Sequence, residues 1–404
     1  MLALRLADAI NAITGLWIIP SYLPEHSLGA VLPLFQIGAL FAIPVTIFTT
    51  VFTRHLCAYA VQDDAEKTRG LLRDALMGTI LLFGLSIAIT TLLIPWLCAF
   101  LRIPHSAAAY YAIGYGLLAA FTPMAWSALQ ALRRFGAISL GSLLAAPIRL
   151  IAMIALLPLL RLTGYFIGQT LPLIVMLIVA GIVLRPLLTR KTKTPFLCWR
   201  GELQSMTRYA GFITLGTLVT ALQGTLLTFI IRHRLSDDVS GAYYILTRFS
   251  EIATYCGSTL ATVLFPFAIE ARIKGFTATR FRGSLMSLIL VIGICLAAIL
   301  YWLLPWIFTL IPTFSAATQY APHAAYLTLI TTLNAASTLH FTQSAAEDRF
   351  TYFWYSLPCA LFLSLGLLLL PNLHLLTIFH LMAITALLQF IGCLIDSYLS
   401  VKMN

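Results

Sequence analysis

The sequence predicts an all-α polytopic membrane protein with about 12 transmembrane helices in two six-helix lobes. Its 404 residues are 60% hydrophobic and only 10% charged, which leaves too little charge to cover the surface of a soluble domain. The hydrophobic residues form runs of about 20 residues or longer, enough to cross a hydrocarbon core roughly 30 Å thick. The charged residues collect between these runs, as they do in membrane proteins.

The first half of the chain supplies six of the runs. The first run contains Asp8 and Asn11, so it reads poorly as a cleavable signal peptide. The second follows a short polar turn and opens at Gly29. Polar or basic turns separate the others. The six predicted spans are 4–20, 29–53, 74–101, 107–130, 137–160 and 165–187.

The second half supplies six more runs after the longest polar segment of the chain. That segment is rich in Arg, Lys and Thr and joins the two halves on one side of the membrane. The predicted domains are therefore an N-terminal lobe at 1–189, a linker at 190–206 and a C-terminal lobe at 207–404. The six predicted spans of the second half are 207–231, 241–268, 284–311, 320–345, 351–371 and 374–399.

A sparse repeat relates the two halves. The pairs related by a shift of 212 positions are Gly29 with Gly241, Thr50 with Thr262, and Asn11 with Gln223. Three aligned features at one offset near half the length argue for duplication. An even number of helices in each repeat predicts a pseudo-two-fold axis along the membrane normal, with the lobes in a V around a central cavity. Internally repeated membrane proteins are usually transporters that work by alternating access.

The basic residues predict the orientation of the chain. Of the 25 Lys and Arg, 19 fall in the loops on the side that holds both termini, and four fall at the opposite ends of the spans. The positive-inside rule makes the first side cytoplasmic. The net charge of +11 therefore reflects topology and anionic lipid rather than nucleic acid.

The sequence carries no familiar catalytic or metal-binding motif, so it predicts neither an enzyme nor a metal site. It has no HExxH, GxSxG or P-loop. Its seven cysteines are scattered, with no CxxC pair.

The predicted eighth span carries a polar stripe on one helical face. The spacings of three and four residues align six side chains, namely Tyr244, Arg248, Glu251, Tyr255, Ser258 and Thr262. Such a stripe faces water or another helix because lipid disfavours it. Arg248 and Glu251 can form an ion pair. The stripe predicts a substrate or ion-coupling site, a structural ion pair, or an arginine that extends to the interface.

Arg149 is the most deeply placed cation in the chain. It lies mid-span after Pro147 and needs either a partner or a wet cavity, because exposure to lipid costs at least ~2.5 kcal/mol. We expect it to contact a substrate phosphate or a structural partner. Gln36 occupies the repeat position of Arg248, so the second lobe has the more cationic cavity. Asp8 is either interfacial or part of that cavity.

Two further groups are expected to be structural. His340 is expected to be an ordinary polar member of helix contacts, and Asp396 is expected to be interfacial.

Several segments resemble the polysaccharide transporter family of the multidrug/oligosaccharidyl-lipid/polysaccharide flippase superfamily. In the segment 235–248, an acidic turn precedes Gly241 and an aromatic residue, and a long helix then ends in Phe-Pro and Glu-Ala near 265–272. A weaker version occurs at 23–29 and 63–67, and 129–135 is similar to that family's junction between the fourth and fifth helices. The similarity spans most of the chain in layout.

The resemblance implies a flippase for an undecaprenyl-diphosphate-linked oligosaccharide, used in polysaccharide, O-antigen or lipopolysaccharide biosynthesis at the bacterial inner membrane. The implied partners are that lipid-linked oligosaccharide, membrane lipid, and a polysaccharide polymerase or other assembly protein. No cofactor is expected, although H⁺ or Na⁺ coupling fits the fold class. The substrate-binding candidates are Arg149, Arg248, Gln36, Asn11, Gln223, Tyr244 and Tyr255, and the ion-coupling candidates are Glu251 and Asp8.

The alternatives differ in the charge of the cavity or in the loops they require. A cation-coupled multidrug and toxin antiporter of the same superfamily should have an acidic cavity, which Arg149 and Arg248 disfavour. A polytopic glycosyltransferase or polymerase should have a large outer loop, whereas the outer turns here are short. A major-facilitator carrier should have a basic motif that the loop at 54–74 does not match.

Overall fold

The computed structural model describes residues 10–11, 14–62, 64–103, 106–132, 134–188, 203–254, 279–310, 315–346, 349–371 and 373–402. Regular structure in these residues is helical throughout, as the hydrophobic runs predict. A π-helical turn (Thr14–Ile18) and a short helix (Ile19–Tyr22) come first. The long helices are α1 (Glu25–Val61), α2 (Ala65–Phe100), α3 (Ser106–Ala131), α4 (Phe135–Leu188), α5 (Leu203–Arg234), α6 (237–254), α7 (Thr279–Leu310), α8 (His323–Ala346), α9 (Phe353–Leu369) and α10 (Leu375–Lys402).

Within the described residues, seven helices are long and apolar enough to cross a membrane, judged by length and composition. They are α1 to α5, α7 and α10. The apolar helix α9 is shorter, with 17 residues. Residues 4–9, 12 and 13 of the predicted span 4–20 fall outside the described residues, as do residues 255–268 of the span 241–268.

Helix α4 comprises two helical arms that correspond to the predicted spans 137–160 and 165–187 and pack against each other. A Cβ at Gly168 would lie 3.0 Å from Met153 Sδ, and one at Gly141 would lie 3.8 Å from Val179 Cβ. The break between the arms is local. Arg161 alone departs from helical geometry, with φ 49° and ψ −124°. The short turn predicted between the fifth and sixth spans is thus confirmed.

The helices satisfy many of their own hydroxyl groups. Thr214 donates to the carbonyl of Ala210 at 2.7 Å, and Thr228 donates to that of Gly224 at 3.0 Å. Back-bonding of this kind hides the hydroxyl from lipid. At these two positions, the threonines of α5 therefore have a structural explanation.

The chain forms two compact units. The first comprises Met1–Leu23 and Pro33–Ala221. In this unit α1 and α3 approach closely at two glycines, because a Cβ at Gly38 would lie 2.7 Å from the carbonyl oxygen of Ala112 and 3.2 Å from the Cα of Gly116. Beside this crossing, the ring of Phe35 packs edge-on against Tyr115 and Tyr165, at centroid distances of 5.0 and 5.7 Å.

The second unit comprises Pro24–Leu32 and Leu222–Asn404. Its apolar core includes Met286 and Ile289 of α7, Leu339 of α8 and Cys393 of α10. Gly293 of α7 faces Thr332 so closely that a Cβ would overlap that side chain. The boundaries predicted at 189 and 207 stay a prediction, since most of the predicted linker lies outside the described residues.

Candidate functional site

Arg149 and Asn11 meet in the first unit. Arg149 Nη1 donates to Asn11 Oδ1 at 3.1 Å, and both residues are half-buried. Asn11 lies just before the π-helical turn, where Thr14 donates its hydroxyl to the carbonyl of Ile10 at 2.7 Å. π-Helical turns are rare and are frequent at functional sites. The two sequence candidates are therefore parts of one polar cluster.

The charge of Arg149 is not neutralised by any carboxylate that the structure describes. Its one described partner is a neutral amide, and its Nε is buried with no hydrogen-bond partner in the described part of the chain. A guanidinium held this way keeps its full charge and unused donors, which suits an anionic group. Asp8, the nearby acidic candidate, lies outside the described residues.

Arg248 and Glu251 form the predicted ion pair on α6 of the second unit. The Nη1–Oε2 distance is 2.8 Å, and the side chains are 19% and 30% exposed. The guanidinium also stacks over the ring of Tyr244, 4.9 Å from its centroid. Tyr244 itself is 1% exposed, so its ring is a packing surface for Arg248 in this structure.

The remaining candidates divide between the two units or fall outside the described residues. Gln36 belongs to the first unit and Gln223 to the second, and both are half-buried. Tyr255 lies outside the described residues, as do Ser258 and Thr262. The roles assigned to all of these residues stay predictions.

A buried polar network in the second unit was not expected from the sequence. His340 of α8 is fully buried, and its Nε2 lies 2.8 Å from Asp396 Oδ2 of α10. Thr351 donates to Asp396 Oδ1 at 2.7 Å, and Arg349 Nη2 lies 3.8 Å from the same oxygen. Asp396 is only 8% exposed, so its carboxylate faces protein, and its predicted depth at the membrane interface stays a prediction. A partner 56 positions away leaves no local sequence signal.

A second unexpected contact joins the turn before α6 to the start of α1. Arg232 is 2% exposed, and its Nη1 lies 3.0 Å from Asp237 Oδ1. Gly29 covers this ion pair, because a Cβ there would lie 2.8 Å from the carbonyl oxygen of Asp237 and 2.9 Å from Ser240 Cβ. The repeat offset maps Gly29 onto Gly241, so two repeat-related helix starts pack side by side. Within the described residues, no group of His, Cys, Asp or Glu is suited to hold a metal ion.

Comparison with solved structures identifies the fold. An inward-facing multidrug-resistance MATE transporter of the MOP superfamily is similar with a TM-score of 0.70 and 14% identity, over 99% of this chain and 95% of that one. The MATE multidrug transporter DinF-BH has a TM-score of 0.68 and 14% identity, over 98% and 92% of the two chains. A MATE structure in a bent conformation has a TM-score of 0.62 and 12% identity, over 99% and 94%. No family model matches the sequence, and no curated protein is similar to it.

These findings define the chain as an all-α, multi-pass membrane protein, which confirms the predicted fold class. More specifically, it has the fold of MATE transporters of the MOP superfamily. These structures share the fold of the chain, and its membership of the superfamily predicted from the sequence motifs stays a prediction. Membership of its polysaccharide branch has no support from these structures.

Proposed function

We propose that the protein is a membrane transporter that exports amphipathic organic molecules by alternating access, in the manner of a multidrug efflux carrier. The observation that carries this proposal is the similarity to MATE structures over 98–100% of the chain. The internal repeat adds support, since two similar bundles can expose one site to each side in turn. The structures that share the fold are transporters and not enzymes, in agreement with the predicted absence of catalysis.

The half-exposed carboxylate of Glu251 supports exchange of the substrate for a cation. In the described part of the chain, Glu251 forms an ion pair with Arg248, and its side chain is 30% exposed. An ion or a proton that reached this carboxylate would compete with Arg248 for it. Glu251, or Asp8 in the first predicted span, is therefore our candidate for cation coupling.

Transport assays in proteoliposomes test this proposal. The purified protein should drive accumulation of a lipophilic cationic dye when a proton or sodium gradient is imposed. Empty liposomes and liposomes with a collapsed gradient are the controls. Dye levels equal to those of empty liposomes under both gradients would contradict the efflux proposal.

A second candidate function is movement of a lipid-linked oligosaccharide between leaflets, in the synthesis of a cell-surface polysaccharide. The observation that favours it is Arg149, a half-buried cation with a neutral amide partner, which suits a diphosphate better than a cationic drug. The other polar candidates, such as Gln36 and Gln223, offer groups that can bind sugar hydroxyls.

One set of vesicles can separate the two substrate classes. A fluorescent prenyl-diphosphate sugar and a cationic dye are supplied to the same preparation, and the movement of each is followed. Transport of the sugar lipid alone would establish the flippase. Transport of the dye alone would establish the efflux carrier.

A further inference from the structure

The buried ring of His340 lies in a network of hydrogen-bonding side chains. Both ring nitrogens of His340 face oxygen atoms. Nε2 lies 2.8 Å from Asp396 Oδ2, and Nδ1 lies 3.3 Å from the hydroxyl oxygen of Ser397. Because the ring is fully buried, each nitrogen depends on these protein partners.

The back-bond of Ser397 favours a proton on the Nδ1 side of the ring. Ser397 donates its one hydroxyl hydrogen to the carbonyl of Cys393 at 2.7 Å, a helical back-bond. The hydroxyl therefore presents a lone pair to His340. For this contact to be a hydrogen bond, Nδ1 must be the donor.

The contact on the Nε2 side requires a proton. Asp396 Oδ2 faces Nε2 at 2.8 Å, and the other carboxylate oxygen already accepts from Thr351 at 2.7 Å. A proton must lie between Nε2 and Oδ2, either on the imidazole or on the carboxyl group. When both contacts are hydrogen bonds of this kind, the ring and the carboxyl group together hold one proton more than a neutral histidine beside a carboxylate would.

We propose that His340 and Asp396 form a proton-binding site, and that the bound proton holds α8 against α10 during the transport cycle. The inference rests on the proposed transport function for the meaning of the cycle. The proton is inferred from the contacts of both ring nitrogens. The site lies near the ends of α8 and α10 that the basic residues predict to be cytoplasmic.

Loss of the proton weakens the contact, because a charged imidazolium is then replaced by a neutral ring beside the carboxylate. The one proton left on His340 can serve Asp396 Oδ2 through Nε2 or Ser397 through Nδ1, but not both. With the proton on Nδ1, two lone pairs would face each other at a hydrogen-bonding distance and repel each other. Ser344, whose hydroxyl lies 3.4 Å from Nε2, can then rotate to donate to it.

Arg349 offers the carboxylate an alternative partner after the proton leaves. Its Nη2 is now 3.8 Å from Asp396 Oδ1, and its side chain is 25% exposed. A small movement would bring it to a full ion pair. The proton therefore determines whether the Asp396 carboxylate pairs with His340 of α8 or with Arg349 of the segment that follows α8.

In the described part of the chain, the titratable groups near the pair include Cys393 on α10, Tyr355 on α9, Tyr352 just before α9 and Arg349. The phenol of Tyr355 lies 3.6 Å from the Cys393 sulfur. The side of α7 that packs here is apolar, with Met286 and Ile289.

The first test observes the proton directly. The chain has eight histidines, and the ring signals of ¹⁵N-histidine-labelled protein in nanodiscs can be assigned to His340 by comparison with His340→Gln. We expect the His340 signal, or a carboxyl signal of Asp396, to show the extra proton at neutral pH and to lose it in one step as the pH rises. A neutral ring beside an ionised Asp396 at every pH from acid to neutral would overturn the proposal, whether or not the protein transports.

A variant of Thr351, the other hydrogen-bond partner of Asp396, tests the direction in which the pH of proton loss shifts. Thr351→Val removes a donor that stabilises the ionised carboxylate, so the pair should keep its proton to higher pH, by about one unit. Thr351→Ser retains the donor and is the matched control. An unchanged or lower midpoint in the valine variant would contradict the assignment.

The second test asks whether the cycle uses this proton. In proteoliposomes, His340→Gln and Asp396→Asn should lose accumulation driven by a pH gradient while retaining exchange of substrate at equal pH. His380→Gln, at an exposed histidine of the same helix α10, is the control and should keep both activities. Full gradient-driven accumulation in folded Asp396→Asn would reject a role in coupling, and absence of any transport by the wild type would instead reject the proposed function.

Discussion

Arg149 Nη1 and Asn11 Oδ1 are hydrogen-bonded at 3.1 Å, across 138 positions of the chain. The bond ties the first predicted span to α4 within the first unit. The sequence predicts a polar role for each residue separately, and the structure joins them. The partner is an amide rather than a carboxylate, and this choice determines what Arg149 can bind.

Asn11→Asp should reduce the movement of an anionic substrate while leaving the fold intact. The new carboxylate would pair with Arg149 and cancel the charge available to a diphosphate. Transport of a prenyl-diphosphate sugar should fall about tenfold, the equivalent of one lost charged contact of roughly 1.4 kcal/mol. The rate is measured in proteoliposomes.

Asn11→Ser is the control, because it shortens the side chain but adds no charge. Arg149→Ala should match Asn11→Asp in transport and fall below it in thermal stability. If Asn11→Asp moves the sugar lipid at the wild-type rate, Arg149 has a structural role only.

Glu251→Gln should uncouple transport from the cation gradient with a small effect on stability. The ion pair with Arg248 is partly exposed, at 19% and 30%, so its loss should cost about 1 kcal/mol or less. Arg248 would keep its stacking on Tyr244. Dye accumulation is measured with and without a gradient.

Glu251→Asp is the matched control, since it retains the charge on a shorter side chain. A gradient response equal to that of the wild type in Glu251→Gln would assign coupling elsewhere, with Asp8 as the next residue to test.

Gly29→Ala should destabilise the protein, whereas Gly84→Ala should not. An alanine Cβ at Gly29 would lie 2.8 Å from the carbonyl oxygen of Asp237, and at Gly84 it would meet nothing within 4 Å. We expect a loss of about 1–3 kcal/mol at Gly29 from overpacking. At Gly84, in α2, better helix propensity should gain up to about 1 kcal/mol.

The measurement is the midpoint of thermal unfolding in detergent, followed by size-exclusion chromatography or a thiol-reactive dye. Equal midpoints for the two alanine variants would show that the start of α1 is not held tightly against the turn at 232–240.

Arg234→Ala should loosen the end of α9. Its guanidinium bonds three carbonyl oxygens there, at 2.7 Å for Leu370, 3.3 Å for Leu368 and 3.4 Å for Leu367. These carbonyls have no helical partner, so the arginine acts as a C-terminal cap. Loss of the cap should cost about 1–3 kcal/mol, measured as protection of α9 in hydrogen exchange, and Arg234→Lys should be intermediate. Unchanged exchange in the alanine variant would contradict the capping role.

The sequence could predict the helices, because length and hydrophobicity are sufficient to identify an apolar span. It also predicted the Arg248–Glu251 pair, since a spacing of three is local on a helix. The polar contacts between distant residues could not be predicted in this way. The partners of Arg149 and His340 lie 138 and 56 positions away, and only the packing of helices selects them.

The break in α4 could also be predicted, because a short polar segment beside Arg161 separates two apolar runs and indicates a turn. The contact of Gly29 also had a signal in the sequence. The repeat pairs Gly29 with Gly241, and Gly29 contacts Ser240, the residue next to Gly241.

Helix α1 begins in one compact unit and continues in the other, since residues 24–32 group with the second unit and the chain from Pro33 with the first. If the chain were divided between the repeats, the N-terminal fragment would contain residues 24–32, which pack in the second unit. The trailing fragment alone would expose the buried guanidinium of Arg232 where Gly29 now covers it. Two repeats fused into one chain in this way would become mutually dependent, and neither would fold well without the other.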